Sequence, residues 1–427
     1  MLEGVVWLEA GPEATAQDAG DRVVARILTW TLWGAALTQT VALPGNIELS
    51  MVFALVAVLL LGVNNRAVVR PWRVATFGVV IALIAASSIL GPGGAMSIEA
   101  LGMVAVLYGI FVVAAPVSMA TYCLVARGFQ SLAIFIAVMV GYQWVSQLAG
   151  LPTFHLFRVL PEEMIYKSYN YLQPLRWGLS VIKPNGIFML EASHCSQLLA
   201  IGIVVEIVLF RRLWVIGLLG LALVSTFAGT GILMLLITAP FLLPYIPRRL
   251  LHWGLLLGVV AGAGLWMGGM LDYFLGRIGE FGMVGTSGYG RFVEPYLYAV
   301  RNAFSSADVL LFGAGLGNGT TFGGFEKTKV PTPMTKSIVE VGVAAALAWL
   351  LYFHVAMLRS IAPFPIVLVV LLQYDLMNGS LLVPIHVVYC YLLCGAMVRG
   401  LPLARRVSAP LPLAAPTAPG PMGGFAS

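Results

Sequence analysis

Apolar residues run almost unbroken along this chain, in stretches of roughly 16 to 22 residues, separated by short segments rich in Arg, Gly and Pro. Backbone amides cannot stay unpaired in lipid, so runs of this length predict helices or a closed barrel. Strand-like alternation is absent, which leaves helices. The runs lie at 23–43, 47–64, 74–92, 99–119, 131–149, 193–210, 213–227, 229–247, 252–271, 338–358, 362–377 and 380–398. The run at 213–227 is short, and its boundary at Gly229, Thr230 and Gly231 leaves a count of twelve or eleven.

Composition points the same way. Of 427 residues, 60% are hydrophobic and 10% charged, against about 25% charged in a soluble domain. So few charges cannot cover a water-facing surface. The fold class expected is therefore an all-α polytopic membrane protein, with a cytoplasmic segment 1–22, one transmembrane domain 23–398 and a disordered tail 399–427 rich in Pro, Ala and Gly. The N-terminus carries Glu3, Glu9, Glu13, Asp18 and Asp21, and does not read as a basic signal peptide.

Charge sets the orientation. With a cytoplasmic N-terminus, the short inner segments hold Arg22, Arg26, Arg66, Arg70, Arg73, Arg127, Arg211, Arg212, Arg248, Arg249, Arg359, Arg399, Arg405 and Arg406. The short outer turns near 44–46, 93–98, 228 and 378–379 hold no Lys or Arg. Short-loop cations favour the cytoplasm, so both termini are expected there. The remaining basic residues fall in two long outer loops, 150–192 and 272–337, which their length exempts from the rule. The net charge of +6 fits the inner leaflet, and no basic cluster interleaved with aromatics suggests nucleic acid.

Ionisable side chains in or near a bilayer cost several kcal/mol unless they face a cavity, so the place where they gather points to function. Here they gather at one predicted depth. Lys183, Glu191 and His194 enter the sixth run, Arg277, Arg291 and Arg301 lie in the second loop, and Lys336, Glu340 and Asp375 are placed at outer helix ends. The segment Lys183–His194 is expected to hold a cation, a carboxylate and an imidazole within three helical turns. A lysine reaching for the interface explains Lys183, but not Glu191 beside His194. The first loop sets Arg158, Glu162, Glu163, Lys167 and Arg176 among Tyr166, Tyr169, Tyr171 and Trp177. That mixture suits sugars and phosphates, and equally an interfacial segment with an aromatic belt.

In the second loop, Tyr289, Gly290, Arg291 and Phe292 precede an amphipathic stretch and then the run Gly313–Gly319. A Gly-x-Gly-x-Gly run can expose backbone amides to an anion, or it can be a flexible turn. It is not a dinucleotide fingerprint, because no strand and helix pair surrounds it. His252 and His354 fall near the cytoplasmic side, His386 beside Pro384 reads as buried packing, and Glu206 is within reach of Arg211. Ser225, Thr226, Thr230 and their glycines let helices approach closely. Cys123, Cys195, Cys390 and Cys394 lie at different depths and form no disulfide framework. Metal-ligand spacing, a Walker loop and a serine nucleophile motif are all missing from the sequence, so no metal or cofactor is expected.

On three local patterns and the hydropathy layout, the chain resembles the bacterial polysaccharide polymerase and O-antigen ligase superfamily, the Wzy-type polymerases in particular. The patterns are the Lys183–His194 segment, with its basic residue, Gly-x-Phe and helix start, then Ser225–Gly231 (SerThrPheAlaGlyThrGly), and Arg291 followed by Gly313–Gly319. Lys183 stands where the family has its first loop arginine, which keeps the charge and loses the two-pronged donor. Pro331–Lys336 lacks the histidine of the ligases, so a polymerase is the first reading and ligase-type transfer an alternative. A transporter or flippase of a lipid-linked sugar is the rival from another class. The resemblance implies a GT-C-like fold in the bacterial inner membrane. It also implies metal-independent glycosyl transfer on the periplasmic face, from a glycan on undecaprenyl diphosphate to a lipid-linked repeat unit. Chain-length regulator and flippase proteins would be its partners. The diphosphate needs positioned cations, for which Arg291, Arg176, Lys183 and Arg301 are candidates. The acceptor hydroxyl needs a proton acceptor, Glu191 or His194, with Lys336, Glu340 and Asp375 in supporting positions.

Overall fold

The computed structural model of the protein describes residues 19–92, 97–167, 169–175, 180–246, 248–267, 276, 279, 282–318, 331–377 and 381–400. Helices occupy all twelve apolar runs. They are α1 (Ala19–Leu37), α2 (Leu49–Val63), α3 (Pro71–Leu90), α4 (Ile98–Gly109), α5 (Met119–Leu148), α6 (Ala192–Val205), α7 (Leu213–Ser225), α8 (Gly229–Leu242) and α9 (Arg248–Met267). Three short helices follow in the second long loop, α10 (Ser287–Phe292), α11 (Glu294–Ala303) and α12 (Ala307–Phe312). The chain then forms α13 (Pro333–Leu358), α14 (Phe364–Leu372) and α15 (Pro384–Cys390). Wider π-type turns extend α6 to Phe210, α14 to Met377 and α15 to Gly395. Four helices are long and apolar enough to cross a membrane: α3, α5, α6 with its extension, and α13. Six further apolar helices are shorter.

Helix α6 is the hub. Every residue from Ala192 to Val205 is buried, as a helix apolar on all sides requires. Small residues let α8 come close to it. At Gly231 a Cβ would sit 2.3 Å from the Ser196 carbonyl oxygen, and the Gly231 amide donates to Ser196 Oγ at 3.2 Å. The close approach foreseen for this segment is therefore between α6 and α8.

The bundle has two chemically different ends. At one, the starts of α2, α6, α8, α13 and α15 meet the long loops. Ile165 pairs with Val41 at the end of α1, and the amides of Ala314 and Gly315 donate to Val339 and Glu340 on α13. At the other, Arg73 at the start of α3 is fully buried and donates to Phe111, Gly395 and Ala356 carbonyls at 2.7, 3.0 and 3.2 Å. Those carbonyls terminate α4, the α15 extension and α13, whose last turns leave acceptors unpaired. One guanidinium thus closes three helices. A small sheet lies beside it, in which β1 (Val68–Val69) runs antiparallel to β2 (Val113–Val117), and β3 (Met397–Arg399) runs parallel to β2. Hydropathy alone does not foresee these strands.

Two expectations are corrected at this level. Glu206 pairs with Arg212 and not Arg211, through Nε to Oε1 at 3.0 Å and a second nitrogen to Oε2 at 2.9 Å. Arg211 itself turns the chain in the left-handed region at φ 60°, so its neighbour faces the carboxylate. Asp375 and His354, placed at opposite faces by the sequence reading, are in contact at 2.8 Å. The contact joins the last turns of α13 to the wide turn that extends α14.

Candidate functional site

The segment from Lys183 to Leu190 is not helical, which corrects the three helical turns expected there. Residues Pro184–Ile187, Met189 and Leu190 are buried in an extended and turning conformation. Buried backbone needs partners, and glutamines from two other segments supply them. Gln143 of α5 accepts the amides of Asn185 and Gly186 at 3.0 and 2.8 Å and donates to Asn185 Oδ1. Gln147 exchanges two hydrogen bonds with Ile182, and Gln39, in the turn after α1, accepts the Leu190 amide. Ile187 sits at φ 71°, a strained conformation for a β-branched residue. The segment is held rigidly enough to set the start of α6.

That start carries the site. Glu191 is the extended residue before α6, and its side chain does not cap its own helix. It turns instead to Arg291 on α10, which approaches Oε2 at 3.2 Å. Ser193 Oγ donates to the same oxygen at 3.1 Å, and the Asn170 amide donates to Oε1 at 3.4 Å. Arg291 is the more open partner, with 29% of its side chain exposed against 12% for Glu191.

His194 lies one turn further on, close enough to feel the Arg291 charge. It is buried, and its Nδ1 makes no hydrogen bond among the described residues. Its ring meets Tyr169 edge-on at 5.3 Å and His386 at 4.7 Å. His386, read from sequence as a packing residue, therefore belongs to the same cluster. Tyr169 stacks on Tyr166 at 5.7 Å, and Tyr171 on Phe157 at 5.0 Å, so aromatic residues of the first loop pack in a group that reaches His194 through Tyr169. Burial and the Glu48 carboxylate push the Tyr166 and Tyr171 phenols above their ordinary range, with Glu191 adding to the effect at Tyr171. Both remain hydrogen-bond donors near neutral pH.

Glu48 is a residue the sequence reading passed over. It is fully buried, accepts from Ser50 Oγ at 2.5 Å, and accepts the Ile385 amide at 3.2 Å. Val383, before α15, makes no side-chain cap, so the Glu48 carboxyl, just before α2, does so through Ile385, the neighbour of His386. An acidic residue opening an apolar run was the available signal.

The other candidates divide. Lys183 sits partly buried in the hairpin before the buried segment, where its amide donates to Gln173 at 2.8 Å. Arg301 is exposed in the last turn of amphipathic α11, away from any ion pair among the described residues. Lys336 and Glu340 pair with each other at 3.8 Å on α13. Arg176, Trp177 and Arg277 lie outside the described residues.

The glycine run is neither an open anion cradle nor a loose turn. Its amides are used: Ala314 and Gly315 donate to α13 carbonyls, and Gly317 donates to Glu340 Oε2 at 3.2 Å. Gly313 and Gly342 cross backbone to backbone, both at positive φ. A Cβ on Gly342 would lie 2.2 Å from the Leu311 oxygen. The run anchors the second loop to α13 and so holds α10 and Arg291 over Glu191.

No group of three or more His, Cys, Asp or Glu suited to a metal occurs among the described residues. No family model matches the chain, and neither a curated protein nor a solved structure matches it.

Proposed function

We propose that the chain polymerises lipid-linked oligosaccharide repeat units by glycosyl transfer at the loop end of the bundle. The observation that carries this reading is the meeting of Arg291 with Glu191, 100 residues apart in sequence, beside the unpartnered His194 Nδ1. Transfer from a diphosphate-linked glycan needs a cation at the leaving oxygen and a proton acceptor at the attacking hydroxyl. Arg291 supplies the first, and Glu191 and His194 lie where the second is required. Phe157, Tyr166, Tyr169 and Tyr171 offer aromatic faces and hydroxyls to the sugars. The resemblance to the Wzy-type polymerases stands as part of this proposal.

The arginines of short segments support the orientation. Arg66, Arg70, Arg73, Arg212, Arg359 and Arg399 belong to segments or helix ends opposite Glu191, whereas Arg127, expected in a short inner segment, lies two turns inside α5, and short-loop cations favour the cytoplasm. Under this reading all twelve helices cross the inner membrane of a bacterium, and the Glu191 end faces the periplasm. The glycan donor and acceptor are both carried on undecaprenyl diphosphate. A transporter is the second reading, and the His354–Asp375 pair, an ionisable contact between two apolar helices, favours it.

Replacing Arg291 tests the proposal. Arg291→Ala is expected to slow polymerisation about a hundredfold or more, and Arg291→Lys to recover part of that, because a point charge replaces a fork. Wild-type rates from a well-folded Arg291→Ala protein would overturn the assignment.

A further inference from the structure

In the structure Arg291 has no anion but Glu191, and Glu191 has no cation but Arg291, among the described residues. Each group is what the proposed chemistry needs in its free state. A guanidinium in contact with a carboxylate offers a diphosphate fewer donors, and a carboxylate oxygen that accepts from a guanidinium has that lone pair occupied. We propose that the Arg291–Glu191 pair is a substrate-operated switch, in which the diphosphate of the lipid-linked donor displaces Glu191 from Arg291 and so releases Glu191 to act as the base. This rests on the polymerase reading above.

The geometry provides for both states. Glu191 keeps two neutral donors after the exchange, Ser193 Oγ on Oε2 and the Asn170 amide on Oε1. It therefore stays positioned when the cation leaves. Its backbone is fixed on one side by buried α6 and on the other by Leu190, tied to Gln39. Arg291 sits on the six-residue helix α10, next to the open side of the contact, and is the more exposed of the two groups. The arginine is thus the partner an incoming diphosphate meets first. A dianionic diphosphate outcompetes one carboxylate for a guanidinium, since both its charge and its oxygen count are higher.

The step then balances. The acceptor hydroxyl gives its proton to the Glu191 carboxylate as its oxygen bonds to the donor's anomeric carbon. The bond from that carbon to the diphosphate oxygen breaks, and its electron pair leaves with the lipid diphosphate held by Arg291. No oxidant, reductant or metal enters. An empty site cannot carry a free base, which protects a donor glycan from water until its diphosphate is seated.

Competition between Glu191 and the diphosphate has a signature that a structural role lacks, since removing Glu191's charge should tighten ligand binding while it stops turnover. Full-length protein in lipid nanodiscs, as wild type, Glu191→Gln and Arg291→Ala, can be titrated with undecaprenyl diphosphate and separately with inorganic pyrophosphate. Glu191→Gln is expected to bind the lipid on the order of tenfold more tightly than wild type, and to lose polymerisation. Arg291→Ala should lose binding of both probes, and pyrophosphate should show the same ranking more weakly. Thermal shifts on adding the lipid report folding and binding together, and Glu191→Asp gives a second variant that keeps the charge and should bind no more tightly than wild type. Equal or weaker lipid binding by Glu191→Gln, with Arg291→Ala still defective, would overturn the switch and leave the polymerase reading standing. Tightening toward pyrophosphate but not the lipid would make this a free-anion site and overturn the switch. Binding of neither probe by any form would overturn the polymerase reading and the switch with it.

Discussion

Arg73 and Arg291 contrast a structural cation with the one proposed to bind substrate. Arg73 is fully buried, and its guanidinium is committed to three carbonyls that end three different helices. Arg212 at the same end is likewise committed, by a two-pronged contact with buried Glu206. Arg291 makes one contact, at 3.2 Å, with a carboxylate that the proposed switch exchanges for a diphosphate. A cation spread over three fixed carbonyls suits a scaffold, and one held by a single carboxylate suits the proposed binding site. Ala314, Gly315 and Gly317 likewise spend their amides on α13, whereas His194 Nδ1 has no partner among the described residues.

The contrast breaks most sharply at Arg73. Arg73→Leu strands three helix-terminal carbonyls and is expected to cost roughly 3–5 kcal/mol, seen as a large fall in thermal stability in detergent and in membrane level. Arg291→Ala should leave both near wild type while activity collapses. A stable Arg73→Leu protein would show that the scaffold end is not held by this residue. Next in size, Gly342→Ala forces a Cβ against the Leu311 carbonyl at positive φ, and about 3 kcal/mol of stability should be lost. Because that crossing holds α10 in place, polymer yield per folded molecule should fall as well. An Ala variant with unchanged melting would mean that the crossing relaxes freely.

Smaller effects sharpen the picture. Gln143→Ala removes the acceptor for two buried amides beside Asn185, for an expected loss of roughly 1–3 kcal/mol measured by thermal melting. Activity per folded molecule should decline further, as the start of α6 shifts. Smallest of all, Arg301→Ala is expected to change stability by about 0.5 kcal/mol or less and to leave polymer yield as it was. Asp375→Asn likewise should leave the polymer unchanged, since His354 and Asp375 lie away from the Glu191 end. A block in lipid-linked sugar export by Asp375→Asn would favour the transporter reading.

The helices could be read from sequence because lipid leaves an apolar run of that length few other structures. Glu191, His194 and Arg291 stood out for the related reason that charge near lipid demands an explanation. What escaped has a common cause, which is that the partner is remote. Lys183–Leu190 reads as helix until Gln39, Gln143 and Gln147, more than thirty residues upstream, are known to satisfy its amides. Gln39 and Gln147 appear in sequence only as interruptions of apolar runs. His354 and Asp375 were set at opposite faces because run order gives direction along each helix but not where two helices cross. Glu48 was missed because its role lies in capping a helix 337 residues later.

The most direct measurement of the central claim is the chain length and sidedness of lipid-linked glycans in a strain lacking the protein, complemented with wild type or with Arg291→Ala at equal membrane level. Single repeat units on the lipid carrier, exposed at the outer face, are the result expected for both the deletion and the variant, with long chains restored by wild type. Repeat units trapped facing the cytoplasm, or long chains made by Arg291→Ala, would contradict it.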